Sequence, residues 1–218
     1  PLDPMGDGEI MDKGITTKWQ LGAWYTGNYP KSCSFFQQRM VFGGSPNRPQ
    51  TLWFSTIGDF ETFAPTDIDS NVLPTSGFSY KISSSNVNEI IWLDSAENLI
   101  VGTSGSEWRV TSSSAGTAIT PTNVKITQQT TFGSSDIRPQ RVGDSIIFTQ
   151  APGKIVREMS YNYDTDSFRA LNLSVLAEHL FDVNSPVLEC SYLKYPHSQL
   201  FFRTGSGDLY YMTYEKEQ

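Results

Sequence analysis

The sequence predicts an all-β, propeller-like fold of about four blade units, each built from short antiparallel strands. Three observations point there. Only 18% of the 218 residues are charged, while 13% are aromatic, a balance that favours burial over disorder. Gly (17) and Pro (12) are frequent, which disfavours long helices and supplies turns. A pattern also recurs: a short apolar strand, a Gly/Asn/Asp turn and a second apolar strand. The first strands are Met40-Val41-Phe42, Ile90-Ile91-Trp92, Ile146-Ile147-Phe148 and Leu200-Phe201-Phe202, with last residues 50, 56 and 54 positions apart. A lone four-stranded sheet protects its faces poorly; set radially among like sheets, it buries both and exposes only short edges. A β-sandwich whose hairpins recur by chance is the competing architecture.

The elements follow in order. Residues 1–28 read as an arm and lead-in strand, polar at first with Asp3, Asp7, Glu9 and Asp12. Residues 29–218 read as the blades. The second strands are Leu52-Trp53-Phe54, Leu99-Ile100-Val101, Ile155-Val156 and Leu209-Tyr210-Tyr211. In the last three units each begins seven residues after its first strand ends, across turns with the composition hairpins need. In the first unit the connection, Gly43 to Gln50, reads as a longer loop. Residues 111–122 are polar and read as a surface loop beside an edge strand. Leu173, Leu176, Leu180 and Phe181 fall at three- and four-residue intervals, predicting one short helix near 172–181 capped by Asn172 or Ser174.

On this template Trp53, with Gly58-Asp59, shapes one blade, and Trp92, Trp108, Phe148 and Phe202 pack between blades. Arg39 and Arg157, beside apolar strands, are the candidates for buried or inter-blade ion pairs. Arg48-Pro49-Gln50 recurs as Arg138-Pro139-Gln140, and the nine-residue strings ending in them (42–50 and 132–140) agree at six positions.

With 23 acidic and 16 basic residues the net charge is -7 and the pI near 4.8. That disfavours a protein gripping phosphates over a basic face, and no sequence-specific nucleic-acid contact is expected. Cys33 and Cys190 read as separate small buried hydrophobes in preference to a bridge. No apolar run is long enough for a transmembrane segment, and Pro1-Leu2-Asp3-Pro4 does not read as a signal peptide. A chain opening without Met reads as a processed or excised piece.

Chemistry-bearing motifs are sparse. His179 and His197 sit in unrelated contexts without HExxH or CxxC patterns. There is no GxSxG elbow, no dinucleotide fingerprint and no Walker sequence; Gly205-Ser206-Gly207 and Gly133-Ser134-Ser135 read as turns. Asp94, Glu97 and Asn98 in one loop, and Asp164 and Asp166 in another, offer oxygens for Ca²⁺ but lack the EF-hand layout, so ordinary turn chemistry is the reading. Asn172-Leu173-Ser174 is formally a glycosylation sequon. No catalytic residue, metal or cofactor is expected.

Specific strings then narrow the reading. Tyr29-Pro30, the run Phe35-Phe36-Gln37-Gln38-Arg39-Met40-Val41-Phe42-Gly43-Gly44-Ser45, Arg48-Pro49-Gln50-Thr51-Leu52-Trp53, and Ser55-Thr56-Ile57-Gly58-Asp59-Phe60-Glu61-Thr62-Phe63 stand in order. Asn88 to Leu93, Leu99 to Trp108, Val156 to Tyr161 and Asp208 to Gln218 continue the series. Over residues 29–218 the chain resembles phage tail nozzle proteins, the tail tubular protein B family of short-tailed phages. The resemblance implies a non-enzymatic virion component at the distal end of the tail, a β-propeller domain in each subunit, and a ring (usually six copies) whose channel passes DNA. It implies other tail proteins as partners: the adaptor, and fibres as a further candidate. Members are commonly two or three times longer, so the chain reads as a propeller-bearing portion. Two alternatives stand beside this reading. One is a propeller-fold glycan hydrolase using carboxylates among Asp94, Asp164, Asp166 and Asp208; the other is a module binding a host surface.

Overall fold

The computed structural model describes residues 23–215, apart from 68, 84–86, 115 and 183. Most of the expected arm, residues 1–28, lies outside the described residues. The rest is all-β. Fifteen strands form four small antiparallel sheets, and no α-helix occurs among the described residues. The chain divides into two units, residues 1–87 with 111–125, and residues 88–110 with 126–218.

The first unit holds a meander of β1 (Ser32–Phe36), β2 (Arg39–Ser45), β3 (Arg48–Phe54) and β4 (Phe78–Lys81). Its period-two pattern fills both faces. Val41, Leu52 and Phe54 are fully buried on one, where Phe54 stacks on its cross-strand partner Phe78 at 4.4 Å between ring centroids. On the other, Trp24 meets Phe42, Phe63 and Trp53 edge-on at 4.9, 5.0 and 5.7 Å. The loop expected over 43–50 is instead strand closed by a tight Pro46-Asn47 turn. A bulge between Gly43 and Ser45, with Gly44 at φ +61°, absorbs the extra residue.

In the second unit the strands are β5 (Ile90–Ser95), β6 (Leu99–Thr103), β7 (Glu107–Ser112), β8 (Val124–Thr130), β9 (Gln140–Val142), β10 (Ser145–Gln150), β11 (Ile155–Asn162), β12 (Ser167–Asn172), β13 (Val187–Leu193), β14 (Gln199–Thr204) and β15 (Leu209–Thr213). They form the second (β5–β8), third (β9–β12) and fourth (β13–β15) sheets, each in chain order; β7 and β8 extend across the division into the 111–125 segment. The third sheet is covered on both faces. Ile146, Phe148 and Met159 pack with Ile91, Trp92 and Ile100 of the second sheet. Ile147 and Val156 face the other way, into a cluster with Val187, Leu200 and Phe202 of the fourth.

All four predicted strand pairs form hairpins: β2–β3, β5–β6, β10–β11 and β14–β15. They occupy the second and third strands of three sheets but the first and second of β5–β8, so the sequence period runs out of phase with the sheets. The short helix expected near 172–181 does not form. β12 pairing takes Leu171 and Asn172, and only a single 3-10 turn, Glu178–Leu180, forms. Leu176 is 93% exposed, so the leucines line no common face. Asn172 Oδ1 accepts from both the N–H and the hydroxyl of Ser174, and Ser174 Oγ accepts from the Val156 N–H, fixing a turn.

Candidate functional site

Between the second and third sheets, within the second unit, lies a groove of about 400 Å³. Five chain segments build it. The β5–β6 turn contributes Glu97 and Asn98, β7 contributes Arg109, and the β9–β10 hairpin contributes Arg141 and Asp144. The end of β11 and the turn after it add Tyr161 and Tyr163, over a floor that includes Phe168 of β12.

Arg109 clips the two sheets together. Its Nε donates to Asn98 Oδ1 at 3.1 Å, its guanidinium pairs with Asp166 at 3.3 Å, and it stands 5.4 Å from the Tyr161 ring centroid. The Tyr161 hydroxyl donates to the same Asp166 carboxylate, which pushes the phenol up from its ordinary value. Arg141 is paired with Asp94. Burial pushes the Asp94 carboxyl up, against the opposing pull of Arg141 and Arg138. The turn holding Tyr163 is rigidly built. Asn162 Oδ1 accepts from the Thr165 N–H and hydroxyl, and Asp166 adopts φ +45°. Tyr163 itself is 86% exposed and meets Tyr161 edge-on at 4.8 Å.

A second polar cluster centres on a buried carboxylate. Glu107 is fully buried. The Ser134 hydroxyl (3.0 Å) and Thr130 hydroxyl donate to its carboxylate, as does the Phe132 N–H, and burial still pushes the carboxyl up. Arg157 stabilises the ionised form at longer range. Its guanidinium lies 3.5 Å from the Phe132 centroid and donates to Gln150 Oε1 at 2.6 Å and the Ala170 carbonyl at 3.1 Å. At close range Arg157 thus meets neutral acceptors and a ring, while the Glu107 carboxylate of the second sheet acts on it electrostatically.

Arg39 departs further. It is fully buried, and its guanidinium donates to the carbonyls of Ser55 (2.5 Å), Pro74 (2.7 Å) and Ser76 (2.8 Å). Among the described residues no carboxylate pairs with it; the carbonyls of the 74–76 turn converge on its planar fork instead.

Among the packing residues, Trp53, Trp92, Trp108, Phe148 and Phe202 are all buried. Trp92 and Phe148 meet at 5.9 Å in the cluster between the second and third sheets, and Phe202 meets Phe181 at 5.8 Å in the cluster between the third and fourth. Trp108 Nε1 donates to Ser106 Oγ at 2.8 Å.

No family model matches the chain, and none of the curated proteins matches it. Among solved structures it is similar to a crystal structure of a protein from Lactobacillus plantarum, at 13% identity and a TM-score of 0.40 over 81% of this chain. The match spans 54% of the length of that protein.

Three of the four carboxylates singled out in the sequence are engaged by other side chains. Asp94 and Asp166 are each paired with an arginine. Asp164 sits in the 3-10 turn outside the groove lining. Asp208 belongs to the β14–β15 turn, where its carboxylate accepts from Ser206 Oγ at 2.6 Å. Among the described residues no group of three His, Cys, Asp or Glu side chains is placed to hold a metal. Both cysteines are free thiols, and neither is the fully buried hydrophobe expected: Cys33 is exposed and Cys190 half-buried. Arg141, Asp144, Tyr161, Tyr163 and Phe168 carry no local signal, because each segment alone reads as ordinary strand or turn.

Proposed function

We propose that the chain is the propeller portion of a phage tail nozzle: a structural, non-enzymatic virion component whose full-length subunit forms a ring, with six copies the expected number, at the distal end of the tail, where DNA leaves. The reading rests on the resemblance of the ordered strings to tail nozzle proteins. Its main structural support is the third sheet, buried on both faces by sheets that precede and follow it in the chain. Radially arranged blades require that of every inner sheet. The second support is chemical. Asp94, Asp166 and Asp208 are each engaged by a neighbouring side chain, which weakens the hydrolase alternative. The test is immunogold electron microscopy on virions of the encoding phage, using antibodies raised against this chain. Label confined to the distal tip of the tail supports the reading; unlabelled virions, or label on the capsid, reject it.

A further inference from the structure

We propose that the groove between the second and third sheets is a binding site for a neutral oligosaccharide. Its volume of about 400 Å³ falls in the range of small-molecule sites. Its charge selects against an anion. Arg109 and Arg141 are already neutralised by Asp166 and Asp94, and Glu97 and Asp144 add two carboxylates to the lining. A phosphate or uronic acid entering the groove would therefore meet net negative charge.

What remains is an alternation of fixed donors and acceptors. The two guanidinium forks donate, the carboxylates of Glu97 and Asp144 accept, and Asn98, its Oδ1 committed to Arg109, offers its NH₂. Vicinal hydroxyls, each both donor and acceptor, answer such a set without bringing charge. The clips from Arg109 to Asn98 and Asp166 hold both walls before a ligand arrives, which lowers the ordering cost of binding.

Tyr163 supplies the apolar half of the recognition. Its ring is 86% exposed on a turn fixed by Asn162 and Asp166, and Tyr161 braces it edge-on. A pyranose presents a C–H face that covers such a ring while its hydroxyl rim reaches the polar wall.

The inference does not rest on the tail reading, and its test is separate from virion labelling. The purified chain is titrated with neutral gluco-, galacto- and manno-oligosaccharides, with oligogalacturonate, and with spermine, using calorimetry and ligand-observed NMR. The proposal expects saturable binding of at least one neutral series and none of oligogalacturonate. Tyr163→Ala, at a largely exposed position, should weaken that binding at least tenfold with an unchanged melting temperature, and Asp144→Asn should weaken it severalfold. Absence of binding across the neutral series, preference for the anionic or polyamine probe, or neutral binding indifferent to both variants overturns the proposal.

Discussion

The indole of Trp92 occupies the space that a side chain on its cross-strand partner Gly102 would need: a Cβ at residue 102 would stand 2.1 Å from Trp92 Cε2. Trp92 belongs to the cluster joining the second and third sheets, so the missing side chain on β6 is a condition of that packing. Gly102→Ala forces the ring aside, and overpacking of this kind costs about 1–3 kcal/mol. Urea unfolding should show a lower midpoint; an unchanged midpoint would mean the ring has another place to go.

Arg39 ties the end of β3 to the 74–76 turn through carbonyls. Arg39→Lys keeps the charge but replaces a planar fork with a point donor. Removing the fork leaves buried carbonyls without donors, at about 1–3 kcal/mol for each one left unsatisfied. Arg39→Lys should therefore lose about 2 kcal/mol or more in chemical denaturation. Stability equal to the parent would show that charge alone is what the cage needs.

Glu107 sets a pH dependence. Its carboxyl is pushed above its ordinary 4.5 by burial, so the folded chain holds that proton more tightly than the unfolded chain does. Its charge consequently costs stability as pH rises from about 4.5 through the folded value, and acidification through the same window returns it. Glu107→Gln removes the titration. The stability of the parent relative to the variant should rise as pH falls from 7 towards 4, read from urea unfolding at each pH. Parallel pH profiles would refute the assignment.

The two thiols should react differently. Cys33 is exposed, whereas burial pushes the Cys190 thiol up to about 12. At pH 8 the native chain should therefore yield one equivalent with a disulfide reagent and a second only after denaturation. Two equivalents in the native state would show that the half-buried Cys190 thiol is open to the reagent.

How much of this was readable in advance depended on how local each signal is. The hairpins were legible because short apolar runs and turn residues lie within about fifteen positions. The sheet limits were not, because outer strands carry weak patterns: neither β8 nor β4 has a buried residue, and in β4 only Phe78 is half-buried. Sequence likeness also misled where tertiary context decides. Residues 42–50 and 132–140 agree at six positions, yet the first string is a bulged hairpin and the second mostly a connection leading into β9. The left-handed residue is Gly44 in one and Gly133, which aligns with Gly43, in the other. A Cβ at Gly133 would stand 2.4 Å from the Ser104 carbonyl oxygen. The groove escaped prediction because five distant segments compose it, and Arg109 and Arg141 gain meaning only when Asp166 and Asp94 arrive.

The pleat of β10 sends Ile146 and Ile147, adjacent in the chain, into different clusters. Neighbours in sequence are therefore strangers in energy. Trimming Ile146 loosens the seam toward Trp92, while trimming Ile147 loosens the seam toward Phe202, so each position can be tuned without retuning the other. A chain built this way can vary one seam at a time.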